Sequence, residues 1–198
     1  MAGPDVEPSR VFLVRHGTTE WSLSGRHTGR TDLPLTAQGE ADARAVGHRL
    51  RSVSFDAVWT SPRRRARQTC ELAGLGGSAA VVEELAEWDY GAYEGLTTAQ
   101  ILERDPDWTV WSGGGPGGES PAQVSERADR VVRALPEGAG TVAVFSHGHF
   151  LRALAVRWIG LDIGWGRALA LDTGSISVIS FERRARVITS WNESPDRP

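Results

Sequence analysis

The sequence predicts an α/β fold in three layers, with helices on both faces of a mostly parallel central sheet that carries an antiparallel edge strand. Three observations support this. Short apolar runs alternate with longer amphipathic stretches, the pattern of a parallel sheet covered on both sides. Two partly alternating, β-branched segments close the chain, and such a late hairpin adds an antiparallel edge. With 198 residues, 40% hydrophobic and 24% charged, the chain suits one domain with a full core. Residues 1–198 are therefore read as a single domain, with loose ends at 1–9 and 192–198.

Taken in order, Val11 to Arg15 is the first strand, an apolar run that opens into Arg15-His16-Gly17. Leu35 to Leu50 reads as a helix, with Thr36 as N-cap and Ala41, Ala45, Val46 and Leu50 on one face. Ala57 to Thr60 is the second strand. Pro62 is expected to open the next helix, which runs through Leu72, because proline is tolerated in a first turn. Ala79 to Val82 is the third strand and Thr141 to Phe145 the fourth. Between them, Ser120-Pro121-Ala122-Gln123 has the form of a capping box with proline at the first helical position, starting a helix toward Leu135. A helix from His149 to Ile159 follows the fourth strand. Ser175 to Phe181 and Arg186 to Trp191 pair through a turn at Arg183 to Ala185. The stretch Ser112 to Gly118 is too rich in glycine for either element. It is read as a flexible connection, or as a lid or phosphate-facing helix entrance.

Composition narrows the chemistry. A formal charge of −3 gives no global field for nucleic acid or an anionic membrane, and no apolar stretch approaches the roughly 20 residues of a bilayer span. The N-terminal sequence lacks an apolar leader core, so a cytoplasmic protein is expected. The single cysteine, Cys70, rules out an intramolecular disulfide framework and reads as a small core side chain. All 22 basic residues are arginine. Without lysine there is no Walker A loop and no Schiff base, so phosphate must be held by arginine, histidine or backbone N–H groups.

Successive parallel strands point their carboxyl ends to one rim, where open α/β sheets bind ligands. The first ends in Arg15-His16-Gly17 and the second in Ser61-Pro62-Arg63-Arg64-Arg65. The third leads to Glu87-Trp88-Asp89-Tyr90 and the fourth to Ser146-His147-Gly148-His149. Two histidines, a carboxylate and several arginines then share a cleft. The arginine fork matches phosphate oxygens, which points to phosphoryl transfer with His16 as nucleophile.

The ordered set formed by Leu13-Val14-Arg15-His16-Gly17, Gly25-Arg26-His27-Thr28-Gly29, Leu35-Thr36 with Gly39, Ser61 with Arg65-Ala66 and Thr69, Glu87 with Gly91 and Glu94-Gly95, Gly118-Glu119-Ser120, and Ser146-His147-Gly148 resembles the histidine phosphatase superfamily. That group includes the cofactor-dependent phosphoglycerate mutases, and the resemblance implies a phosphoglycerate mutase-like fold. It further implies that His16 accepts the phosphoryl group, that His147 donates to the phosphoryl oxygens, and that Glu87 is the general acid and base. Arg15 and Arg65 become the phosphate clamp, whose charge also disfavours protonated His16. Ser22, Arg26, His27, Thr28, Gly29 and His149 are the remaining candidates for substrate contact, with Trp21, Trp88, Trp108 and Trp111 as possible apolar walls. No cofactor or metal is expected, since cationic side chains supply the charge.

Family mutases hold a second anionic group with a lysine and a paired arginine after the catalytic glutamate. Here Leu96 to Gly118 contains only Arg104 as a cation. A phosphomonoester phosphatase is therefore preferred, with mutase as the alternative and a non-catalytic phospholigand-binding domain as a third reading. The expected partner is a small phosphorylated metabolite. A homodimer is possible through an exposed strand near Val178.

Overall fold

In the computed structural model, which describes residues 9–135 and 140–195, six strands form one sheet in the order β3-β2-β4-β1-β5-β6. β1 (Arg10–Arg15), β2 (Ala57–Thr60), β3 (Ala79–Val81) and β4 (Thr141–Ser146) are mutually parallel. Central β1 and β4 pair in the register Val11 with Val142 and Arg15 with Ser146. They read as continuous apolar runs because both faces are covered. Alternation along β4 sends Val142 and Val144 into one core, and Ala143 and Phe145 into the other. Two antiparallel strands complete the sheet, β5 (Ile176–Glu182) on β1 and β6 (Ala185–Glu193) on β5.

Seven α-helices lie among the described residues. α1 (Glu20–Leu23), α4 (Thr98–Leu102) and α5 (Val110–Gly113) are short turns that escaped the sequence reading. Each begins where a threonine hydroxyl (Thr19, Thr97 or Thr109) accepts a backbone N–H of the first turn. α2 (Ala37–Leu50) starts at Thr36, whose hydroxyl accepts from Gly39 N as expected. α3 (Arg64–Leu72) begins two residues later than Pro62 suggests. The Ser61 hydroxyl accepts the Arg63 N–H and closes a local turn there, which leaves Arg63 extended as the cap. α6 (Pro121–Ala134) has the anticipated capping box between Ser120 and Gln123 with Pro121 in the first turn. α7 (Gly148–Trp158) follows β4 through His147. Residues of α6 and α7 pack in the larger core, those of α2 and α3 in the smaller, giving the three layers.

Two expectations need correcting. Val178 lies on β5, which is paired on both sides, so the sheet edges are β3 and β6 and the exposed strand proposed near Val178 is not an edge. The expected loose end at 192–198 begins too early, since Asn192 and Glu193 close β6. Residues 1–8 and 196–198 fall outside the described chain, whereas Ser9 is buried and its carbonyl accepts from the Ser180 hydroxyl. Among the described residues no helix is long and apolar enough to cross a membrane.

Candidate active site

His16 sits one residue beyond β1, anchored by its backbone N–H on the Ser146 carbonyl. The turn after it needs glycine. A Cβ on Gly17 would lie 2.3 Å from the Gly39 carbonyl oxygen, and one on Gly39 would lie 2.1 Å from that of Thr18. The His16 Nδ1 is 2.7 Å from the Gly17 carbonyl. A carbonyl only accepts, so Nδ1 carries the proton and Nε2 keeps its lone pair. Burial, and secondarily the positive charges of Arg65 and Arg15, hold the imidazole well below its ordinary pKa. The like-charge effect expected from the sequence is present, but desolvation exceeds it.

Behind His16 lies a buried chain of hydrogen bonds. Arg65, without solvent exposure, donates Nε to His147 Nδ1 at 3.1 Å and its terminal nitrogens to the carbonyls of Thr31, Thr28 and Gly29. Guanidinium can only donate, so His147 Nδ1 is the acceptor and Nε2–H points to the Ser61 hydroxyl 2.7 Å away. Burial first, then Arg65, keeps His147 neutral as well, far below the ordinary histidine value. The two imidazole rings stand 5.3 Å apart, edge to face.

The Glu87 carboxylate is also held in place. Oε1 accepts the N–H groups of Trp88 and Phe150, each at 2.9 Å, and Oε2 accepts that of His149 at 3.1 Å. The last two belong to the first turn of α7, whose unpaired N–H groups and dipole favour an anion. The segment bearing Glu87 is itself tied down by Arg127 on α6. Its guanidinium donates to the carbonyls of Glu84, Ala86 and Glu87, and forms a bidentate pair with Glu119 at 2.8 and 2.7 Å. The glycine-rich stretch runs beneath this segment. A Cβ on Gly115 or Gly118 would fall 2.3 Å from Tyr90 C or 2.2 Å from Asp89 O. These glycines let two backbones touch, and none of them borders the cavity that His16 and Glu87 share.

That cavity, about 280 Å³, is lined by Arg15, His16, Ser22, Arg26, His27, Thr28, Glu87 and His149 among the anticipated residues. Gly29, Arg65 and His147 do not reach its wall. The Gly29 N–H is taken by the Glu94 carboxylate, and the other two form the layer behind. Arg15 donates to the Leu171 carbonyl, while its buried Nε has no partner. The wall also includes residues the sequence reading missed, chiefly Thr19, Tyr90, Thr98 and Arg152. The Tyr90 hydroxyl lies 2.6 Å from His149 Nδ1. Trp88, Trp108 and Trp111 are core side chains. Trp108 and Trp111 back the wall from behind, Trp108 against His27 and Trp111 against His149. A larger hollow of about 830 Å³ lies along Arg44, His48, Arg49 and Arg51 of the α2 region and shares none of these groups.

The sequence profile of the histidine phosphatase superfamily (branch 1) matches residues 11–194, and the chain belongs to that superfamily. An acid phosphatase of Mycobacterium tuberculosis is 47% identical over 185 residues, 91% of either chain. Sedoheptulose 1,7-bisphosphatase of Saccharomyces cerevisiae is 36% identical over 192 residues, covering 81% of this chain and 70% of its own. Among solved structures, a functionally characterised open reading frame product from Mycobacterium tuberculosis superposes with a TM-score of 0.91 at 44% identity, over 95% of this chain and 99% of that one. The protein is accordingly an enzyme, a hydrolase of phosphomonoesters.

Proposed function

We propose that the protein hydrolyses small phosphomonoesters in two steps through a phosphohistidine at His16. The observation that carries this reading is the His16 tautomer. With Nδ1–H on the Gly17 carbonyl, a neutral Nε2 lone pair is left beside Arg15 in a cavity that also contains Glu87. In the first step Nε2 attacks phosphorus, the P–O bond to the alcohol breaks, and Glu87 relays the proton of the substrate's phosphate monoanion to the leaving oxygen. In the second, Glu87 takes a proton from water, whose oxygen attacks phosphorus and releases His16 with inorganic phosphate. Arg15 neutralises the transferring oxygens. Arg65 acts from behind, its charge adding to the burial that keeps both imidazoles neutral, and braces the 28–31 loop. For His147 to donate to the phosphoryl oxygens, Nε2–H must leave the Ser61 hydroxyl and the ring must come forward to the cavity wall, which it does not line here. The names of the relatives, an acid phosphatase and a sugar bisphosphatase, support hydrolysis.

Mixing the protein with p-nitrophenyl phosphate and quenching in alkali tests the mechanism. Mass spectrometry should find one phosphoryl group on His16, and His16→Ala should lose both the adduct and turnover. An active His16→Ala enzyme would end the proposal, and a wild type that forms no phosphohistidine would favour the binding-domain reading. Incubation with 3-phosphoglycerate and catalytic 2,3-bisphosphoglycerate separates the mutase alternative, for which 2-phosphoglycerate would form faster than phosphate is released.

A further inference from the structure

The carbonyl that fixes the His16 tautomer belongs to a peptide unit whose other end is also held. Gly17 C=O and Thr18 N–H share one planar trans peptide, so the two groups point in opposite directions. The carbonyl faces His16 Nδ1 at 2.7 Å, and the N–H donates to Asp42 Oδ2 at 3.3 Å. The same oxygen accepts the Thr18 hydroxyl at 2.7 Å. Because that hydroxyl donates its proton to Asp42, it accepts from the Thr173 hydroxyl 3.1 Å away. Asp42 Oδ1 accepts from the Gln38 amide at 2.8 Å, so both oxygens face donors, as suits a carboxylate. Asp42 lies on α2 and is 8% exposed, and a charge-assisted hydrogen bond is strong in such a place. The neighbouring peptides are fixed independently, Gly17 N–H on the Thr69 hydroxyl and the Thr18 carbonyl on Thr36 N–H. Between these two anchors, Asp42 holds the N–H end of the peptide and His16 the carbonyl end.

We propose that Asp42 is a positioning residue for phosphoryl transfer: it orients and polarises the Gly17–Thr18 peptide, so that the Gly17 carbonyl keeps the His16 proton on Nδ1 and leaves the Nε2 lone pair for phosphorus. Hydrogen bonds in series strengthen one another, and a negative charge on the N–H end makes the carbonyl at the other end a better acceptor. The peptide thus stands between carboxylate and imidazole. In a serine hydrolase triad a carboxylate holds the histidine in its working tautomer by direct contact. Without an aimed carbonyl the His16 ring is free to take the other tautomer, in which Nε2 carries the proton and has no lone pair for attack. Asp42 does not line the cavity that His16 and Glu87 share, and it acts only through the peptide. This role rests on the phosphatase reading and deepens it.

Nitrogen-15 NMR of the histidines at about pH 8, where free imidazole is neutral, reads the tautomer, and rapid mixing with p-nitrophenyl phosphate reads its consequence. His16 is assigned among the five histidines by comparison with His16→Ala. In wild type it should show a protonated Nδ1 and an unprotonated Nε2. In Asp42→Ala both nitrogens should move toward the averaged shifts of a mixed population. The rate of phosphohistidine formation and kcat/KM should then fall by about 10- to 100-fold, while competitive inhibition by inorganic phosphate, which involves no attack, changes by less than about threefold. Asp42→Asn keeps an acceptor without the charge, so it should retain the tautomer and lose about threefold to tenfold in rate; it also serves if Asp42→Ala does not fold. Thr18→Val removes the hydroxyl bond to Asp42 but keeps the peptide N–H, and its loss should be smaller than that of Asp42→Ala. Wild-type shifts and rates in the Asp42 variants would overturn the proposal. So would a Thr18→Val enzyme that loses as much as Asp42→Ala with the tautomer unchanged in both, since Asp42 would then be only a brace for the loop. If wild type forms no phosphohistidine, the phosphatase reading has failed, and the His16 shifts alone then decide whether Asp42 sets the tautomer.

Discussion

Acidification should destabilise this protein well before its carboxylates titrate. His16 and His147 are buried and His149 is half-buried on the cavity wall, and desolvation holds each of them well below the ordinary histidine pKa. In the unfolded chain the same groups titrate near 6.5, so below that pH the unfolded state binds protons that the native state refuses. Stability is therefore full above about pH 6.5 and is lost as the pH falls from there toward the depressed native values. From pH 7.5 to 5.5 each histidine accounts for about 1.4 kcal/mol, and three for up to about 4 kcal/mol. That is a large part of a typical 5–15 kcal/mol. Urea denaturation followed by far-UV circular dichroism at the two pH values is the assay. With a slope of about 2 kcal/mol per molar urea, the midpoint should fall by up to about 2 M. His149→Asn should remove roughly a third of that drop. Midpoints that coincide at pH 7.5 and 5.5 would refute the claim that the histidines are held neutral by burial.

Other consequences concern the scaffold of the site. Arg127→Met removes the bidentate pair with Glu119, whose side chains are 10% and 23% exposed, together with the carbonyl bonds beneath Glu87. A loss of about 2–4 kcal/mol is expected, lowering the thermal midpoint by about 5–15 °C in calorimetry, with kcat falling more than KM rises. Gly39→Ala is a test of sign. Alanine inside a helix ordinarily gains about 0.5–1 kcal/mol over glycine, but here the Cβ meets the Thr18 backbone. A destabilisation of about 1–3 kcal/mol in urea is expected instead, and a stabilised variant would contradict the close approach. Glu87→Gln keeps the shape but cannot exchange a proton, so kcat for a poor leaving group such as glycerol should drop by about 100-fold or more. The drop should be smaller for p-nitrophenolate, and equal drops for both would exclude Glu87 as general acid.

The parts of the fold legible in the sequence were those set by local pattern. The apolar runs of β1 and β4 and the caps at Thr36 and Ser120 needed only their own neighbourhoods, and the strands, parallel or paired as a hairpin, followed from alternation. The start of α3 was misread because a serine hydroxyl two residues upstream outcompeted proline's helix-opening preference. The site was legible where chemistry and strand ends coincide, at Arg15, His16, Glu87 and His149. It was not legible in depth. Nothing in the sequence distinguishes an arginine on the cavity wall from one behind it, because that depends on which side chains intervene after packing. Arg65 lies in the rear layer, whereas Arg152, which no motif singles out, lies in front. Its spacing of three from His149, itself a candidate cavity residue, was the available signal.

The contact between the glycines at 115 and 118 and the backbone at 89–91 gives the cavity two walls of unequal plasticity. On the Glu87 side, polypeptide lies directly on polypeptide, and a side chain added at Gly115 or Gly118 would press on the backbone of Asp89, Tyr90 and Gly91. Another part of the wall, formed by Ser22, Gly25, Arg26, His27 and Thr28, is partly exposed and includes the solvent-facing Arg26. Side chains of new size at α1 and the turn after it therefore meet less neighbouring backbone than they would at Gly115 or Gly118.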